Sequence, residues 1–188
     1  MSDPSAVRPG KSTRRRWLLK LSGVLGIVLL AAAGLKMLQV GSPLPASARA
    51  DRIIVNKQTR ELWLMAKGKP LKRYRIALGG NPRGHKTQQG DQRTPEGVYR
   101  IAGRNPRSAY HRALRVSYPN ARDRRRAKQQ GVSPGGDIMI HGLPNGLGWI
   151  GPLHRWVDWT AGCIAVTDPE IEEIWRAVPD GTSIEIKP

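Results

Sequence analysis

Asp158-Trp159-Thr160-Ala161-Gly162-Cys163-Ile164-Ala165-Val166-Thr167 holds the one cysteine of the 188-residue sequence, and His141-Gly142 lies 22 positions before it. A thiol reacts as its thiolate, so a nucleophilic cysteine needs a base for its proton and fixed dipoles for the developing charge. His141 supplies the first and the turn from Thr160 to Cys163 the second. A free cysteine is more often a small buried hydrophobe. Gly162, however, permits a sharp turn beside Cys163 that a cysteine embedded in a strand would not need. Asp137-Ile138-Met139-Ile140 reads as a short strand ending at His141, and Gly142, Pro144, Asn145, Gly146 and Gly148 open a loop directly after it. A histidine at a strand-to-loop junction is well placed for function. His85, His111 and His154 lack that setting, and His154 is the nearest rival for the role of base.

Working outward, the flanking sequence reads mostly as strands. Ile53-Ile54-Val55, Leu62-Trp63-Leu64-Met65 and Tyr74-Arg75-Ile76-Ala77-Leu78 are β-favouring runs, with Lys67-Gly68-Lys69-Pro70 as a hairpin turn between the second and third. Gly97-Val98-Tyr99-Arg100-Ile101, Leu114-Arg115-Val116-Ser117, Ile164-Ala165-Val166 and residues 183–186 add further strands. Residues 168–178 are helical instead: Asp168 caps the run, Pro169 suits the first turn, and Ile171, Ile174, Trp175 and Val178 share one face. Asp168, Glu170, Glu172 and Glu173 of that helix read as a solvated face, so no metal site is expected. The pattern predicts a mainly β fold, a sandwich or open barrel with one supporting helix, and residues 51–188 suffice to bury one core.

His141-Gly142 followed after a loop by Thr160-Ala161-Gly162-Cys163 resembles the signature of the YkuD-type catalytic domain of the L,D-transpeptidases, a His-Gly and then Ser/Thr-x-Gly-Cys. Gly79-Gly80-Asn81-Pro82, Thr94-Pro95-Glu96-Gly97-Val98-Tyr99 and the closing residues 178–186 agree with that family in the same order. The similarity spans roughly residues 51–188, the size of one domain. It implies Cys163 as nucleophile, His141 as general base and acid, and the Gly142 carbonyl as the group that orients the imidazole. It also implies the stem peptide of peptidoglycan as substrate, with no cofactor. Backbone N–H groups near Gly162 and Cys163, beside Thr160, are then expected to hold the oxyanion. The family often carries a histidine before the Gly-Cys pair and an arginine two residues after the cysteine, where this chain has Ala161 and Ala165. Arg155, or Arg104 and Arg107 near Asn105-Pro106, are the candidates to hold substrate in their place. Trp149, Trp156 and Trp159 are expected as a lid or wall over the site, or else as a local hydrophobic cluster.

Charge places such a centre in the cell envelope. The chain carries +18, and both parts are basic: residues 1–50 hold eight Lys or Arg against one Asp, residues 51–188 hold 24 against 13. Arg122, Arg124, Arg125, Arg126 and Lys128 fall on a short exposed helix running to Gln130 and stopping at Gly131. No nucleic-acid module, zinc spacing or aromatic binding signature accompanies them, so the run reads as a solvated face toward anionic envelope polymer, with no nucleic-acid partner. Arg14, Arg15 and Arg16 precede the uncharged apolar residues 21–35, the order of a signal sequence. Residues 1–20 are read as a basic cytoplasmic segment, 21–40 as a signal sequence or an inner-membrane anchor helix, and 41–50 as a linker with small-residue cleavage sites at Ala48 and Ala50. Arg15-Arg16 also fits a twin-arginine signal, leaving the export route open. The expected location is the periplasmic side of the inner membrane.

Function therefore rests on the thiol. The expected chemistry is acyl transfer through a Cys163 thioester, giving a crosslink or the attachment of a wall-linked protein if an amine captures the acyl group. If water captures it, the product is a trimmed peptide or a released one. A catalytically silent wall-binding module is the alternative from a different class.

Overall fold

Ile53 and Val55 are fully buried while Arg52 is exposed, and this alternation makes β1 (Arg52–Asn56) a strand with one face in the core. Leu62 and Leu64 do the same for β2 (Glu61–Ala66), which pairs antiparallel with β1. Lys67 and Gly68 both take positive φ, 50° and 75°, the conformation of a two-residue hairpin turn. The turn is thus shorter than expected, and Lys69 and Pro70 already belong to β3 (Lys69–Arg75), an edge strand where the missing N–H of proline costs no ladder bond. The computed structural model that shows this describes residues 42–188. The expected basic segment 1–20 and apolar segment 21–40 lie outside the described residues.

The third strand was expected over residues 74–78, but β3 ends at Arg75. Residues 76–80 leave it and take different partners. The sheet continues through β4 (Gly97–Ser108), β5 (His111–Val116), β6 (Met139–His141), β7 (Ile164–Ala165) and β8 (Ser183–Lys187) in the order β3-β2-β1-β8-β4-β5-β6-β7. Ala77, just beyond β3, exchanges both backbone bonds with Ala165 of β7 at 3.0 and 2.9 Å, and Thr160 bonds Leu78 and Gly80 at 3.1 and 3.0 Å. One end of the strand order therefore meets the other, and the sheet curls into an open barrel. β4 makes the bend, since its register shifts beyond Ile101 and beyond Asn105 let one long strand pair with β8 at its start and β5 further on.

Among the described residues two α-helices flank the sheet. α1 (Ala121–Gln129) is capped by Asn120, whose side chain accepts from the N–H groups of Arg122 and Asp123 at 2.8 and 3.1 Å. Arg122, Arg124 and Arg125 face solvent and Arg126 is half-buried, while Asp123 and Ala127 are buried. α2 (Asp168–Ala177) buries Ile171, Ile174 and Ala177 in the core. Its cap is Thr167, one residue before the Asp168 expected: Thr167 donates its N–H and its hydroxyl to Glu170 Oε2 at 2.9 and 2.8 Å. Asp168 is thereby left for another task. Residues 43–50 lie along α2: Leu44 is buried, its carbonyl accepts from Arg176 at 3.1 Å, and Ala50 N–H donates to Ala177 O at 2.8 Å. A 3-10 segment, Gly148–Trp156, breaks at Gly151, whose φ of 52° and ψ of −133° suit glycine alone.

Candidate active site

β6 and β7 run parallel, with Ile140 opposite Ile164 and His141 opposite Ala165. Ile140 and Ile164 are fully buried in the core, so by strand alternation His141, Ala165 and Cys163 fall on the other face. Cys163 stands beside Met139, and strand spacing puts its Cα roughly 8 Å from that of His141, a gap the two side chains can span. Its Sγ donates to Asp137 O at 3.4 Å. Burial pushes the thiol pKa up, and the Met139 N–H aimed at the sulfur only partly offsets this. The resting cysteine is a protonated thiol that needs a base.

His141 is 3% exposed and supplies that base. Its Nδ1 lies 2.7 Å from Gly142 O, and because a carbonyl only accepts, the proton is on Nδ1 and Nε2 carries the free lone pair. Burial lowers the His141 pKa, with the Gly142 bond acting against it, so the ring is neutral near pH 7. Tyr110 and Trp159 wall the imidazole, their ring centroids 4.5 and 5.8 Å away. Asp168 fixes the loop leaving it. Its Oδ1 accepts the Leu143 N–H at 2.8 Å, and a Cβ on Gly142 or Gly148 would lie 2.6 or 2.3 Å from its carboxylate oxygens. Both glycines are there to let that carboxylate in.

The turn before Cys163 is held from within. Gly162 N–H donates to Thr160 Oγ1 at 3.1 Å, and Thr160 Oγ1–H donates to Cys163 O at 2.8 Å. Thr160 and Gly162, expected as oxyanion and substrate contacts, thus shape the turn in this state. Gly162 has φ of 132°, and a Cβ there would meet Arg93 O at 2.6 Å. Its glycine is required by a neighbouring backbone. A Cβ on Gly79 would likewise lie 2.1 Å from Gln92 O, so residues 92–93 are wedged between two glycines under the cysteine turn. Asp91 braces this wedge: it accepts from Lys86 Nζ at 2.7 Å and from the N–H groups of Thr87, Arg93 and Gln88 at 2.8, 3.0 and 3.1 Å. Burial alone would raise the Asp91 pKa, but these donors win and hold it at about 2. The Lys86–Asp91 brace has no motif to reveal it; Asp91 after Gly90 reads as an ordinary turn residue.

The remaining candidates are placed elsewhere. His154 is 7% exposed, and burial, with the charges of Arg155 and His141, pushes its pKa down to about 4. It packs against Trp159, its Nδ1 3.5 Å from the indole nitrogen. His111 bonds Glu172 at 2.7 Å, and His85 Nδ1 accepts the Glu96 N–H at 3.0 Å. Arg155 pairs with Glu170, and Arg104 with Asp180 and the carbonyls of Trp175 and Val178. Neither guanidinium is free for substrate, while Arg107 stays exposed. Ala165 is fully buried, its backbone closing the barrel against Ala77. Of the three tryptophans only Trp159 walls the site; Trp149 and Trp156 stand in solvent. The α2 acids are engaged rather than merely solvated, Glu170 with Arg155, Glu172 with Arg112 and Glu173 with Lys72.

A neutral histidine at the end of β6, its imidazole oriented by the Gly142 carbonyl, shares a face with the thiol that directly precedes the parallel strand β7. The family model for the L,D-transpeptidase catalytic domain, YkuD, matches residues 50–186. The chain belongs to that family. YafK of Escherichia coli strain K12, which carries the L,D-transpeptidase name, is 31% identical over 107 residues, 56% of this chain and 36% of YafK. The helical cell shape determining protein Pgp2 of Campylobacter jejuni is similar in structure, with TM-score 0.56 and 25% identity over 80% of this chain and 53% of Pgp2. Bd1075 of Bdellovibrio bacteriovorus gives TM-score 0.50 and 25% identity over 77% of this chain and 53% of that one. The chain spans about a third of the curated relatives it matches and about half of these solved ones.

Proposed function

We propose that this L,D-transpeptidase-family domain performs cysteine-dependent acyl transfer on peptidoglycan stem peptides, with Cys163 as nucleophile. The observation that carries the reading is the Nδ1–H to Gly142 O bond of 2.7 Å, which leaves Nε2 of a buried neutral His141 as proton acceptor on the face shared with Cys163. His141 Nε2 takes the Sγ proton as the thiol releases Asp137 O, and sulfur attacks the amide carbonyl carbon. His141 then returns the proton to the leaving amine as the C–N bond breaks, leaving a thioester on Cys163. An acceptor amine, deprotonated by His141, attacks that thioester and restores the thiol. Backbone dipoles around the Thr160–Cys163 turn support the oxyanion.

Hydrolysis is the second reading, favoured by a specific observation. Ala165 is buried where the family often has arginine, and Arg155 and Arg104 are committed to partners within the domain, so of the three arginines offered in its place only Arg107 is left to hold a second peptide. The order of basic and apolar residues in the first forty positions supports an enzyme on the periplasmic side of the inner membrane, anchored or released by cleavage, with wall-linked protein as a further partner. The full chain incubated with donor muropeptide alone, and with donor plus acceptor, is expected to give new crosslinks in the second mixture, and Cys163→Ala to abolish all product. Turnover unchanged in that variant removes the nucleophile. Trimming without crosslinks selects hydrolysis.

A further inference from the structure

Eight large apolar side chains are exposed among the described residues, and five of them, Leu147, Trp149, Leu153, Trp156 and Val157, fall within one short stretch between His141 and Cys163. Scattered exposure needs no explanation, but this concentration in one short stretch calls for one. Trp149 and Trp156 are 79% and 76% exposed, so neither indole is spent on the fold. The charges of the same stretch are turned inward. Arg155 pairs with Glu170, Asp158 with Arg60 at 2.7 Å and with the Leu78 N–H at 2.9 Å, and His154 is buried.

The stretch therefore offers exposed aromatic rings while its own charged side chains are paired or buried. A peripheral bilayer contact would want cations around such rings to meet lipid phosphates, and this stretch has none to spare. A neutral saccharide chain is complementary: the C–H faces of its sugar rings stack on indoles, both surfaces shed water, and no charge is required. The surface is also close to the chemistry. Trp156 is three residues from Trp159, so chain length limits their separation to roughly 11 Å, and the Trp159 ring meets that of His141 at 5.8 Å.

We infer that Trp149 and Trp156 form a saccharide-stacking platform that holds the N-acetylated amino-sugar backbone of the wall polymer while its attached peptide reaches Cys163. The identity of the polymer rests on the function proposed above; the platform itself does not. The full chain carrying Cys163→Ala is titrated by calorimetry with a β-linked N-acetylglucosamine oligomer, with and without W149A and W156A. Loss of both indoles is expected to weaken binding by roughly fivefold or more, the scale of two aromatic contacts. Tyrosine at both positions should keep most of it. On intact sacculi the double alanine variant of the active chain should raise KM by a similar factor, with kcat/KM on a free stem peptide unchanged. No oligomer binding by the parent chain, or equal binding by parent and double alanine variant, overturns the platform. So does loss of affinity for phosphatidylcholine vesicles with oligomer affinity retained, which assigns the surface to lipid. If neither sacculi nor free peptide is turned over, the proposed reaction fails while the oligomer titration still decides the platform.

Discussion

His141 is useful as a base because burial keeps it neutral, and the same burial raises the Cys163 thiol. The pair therefore starts uncharged, and the proton moves only when substrate arrives. Since the folded His141 pKa lies below the ordinary value of about 6.5, the acidic limb of kcat/KM should fall below that pH. A limb at or above it in a pH–rate profile would contradict the assignment. His141→Ala should lower kcat by roughly 100-fold or more while leaving KM for free stem peptide nearly unchanged. At Gly162 a methyl group meets Arg93 O, a backbone atom that has no other place to go, and φ of 132° is itself costly for alanine. Gly162→Ala should lose on the order of 1–3 kcal/mol of stability, read as a lower melting temperature, with activity falling further because the Cys163 turn shifts. His141, Cys163 and Gly142 were legible as a set because their order and neighbours form a motif. Arg155 was not, because its Glu170 partner lies on a helix whose approach no local pattern encodes.

Among the elements, the loop from Lys86 to Arg93 decides whether the cysteine turn holds its shape. Lys86 and Asp91 form a nearly buried ion pair, with side chains 4% and 8% exposed. Removing one partner strands the other. Asp91→Ala should cost roughly 3–5 kcal/mol in denaturant unfolding, and replacing Lys86 and Asp91 together by apolar residues of similar size should recover much of it. A double variant as unstable as the single would mean that the N–H bonds of Thr87, Gln88 and Arg93, not the ion pair, dominate the brace. Strands with clean alternation, β1 and β2, were readable from sequence; β3 was misplaced because Tyr74-Arg75-Ile76-Ala77-Leu78 is one β-favouring run shared between two pairings. Propensity does not say which neighbour a residue will bond. The cap of α2 moved to Thr167 for a similar reason, since Asp168 is drawn to the Leu143 N–H across the molecule.

Across the whole molecule, histidines held neutral by burial contribute to the response to acid, the half-buried His85 among them because burial lowers its pKa. His141 and His154 are held neutral when folded, whereas the unfolded chain takes up protons below about 6.5. Their contribution is full above that pH and drains away as pH falls, toward about 4 for His154. For His154 the swing is on the order of 3 kcal/mol, so His154→Gln should flatten the decline in stability between pH 6.5 and 4. A second test concerns the start of the compact unit Pro43–Pro188. Leu44 is 7% exposed and its removal empties a place beside α2, so a chain beginning at Asp51 should unfold more easily than one beginning at Pro43, by roughly 2–5 kcal/mol. Equal melting temperatures would show that this stretch packs without stabilising. By itself the sequence determined the alternating strands, the amphipathic helix and the histidine and cysteine that carry the proposed chemistry, because each is written in residue type and spacing over a few positions. The tertiary structure alone decided the closure of the sheet through Ala77 and Ala165, the wedge between Gly79 and Gly162, and which arginines are spent on acids. Those depend on residues far apart in the chain meeting at van der Waals distance, and neither periodicity nor propensity carries that information.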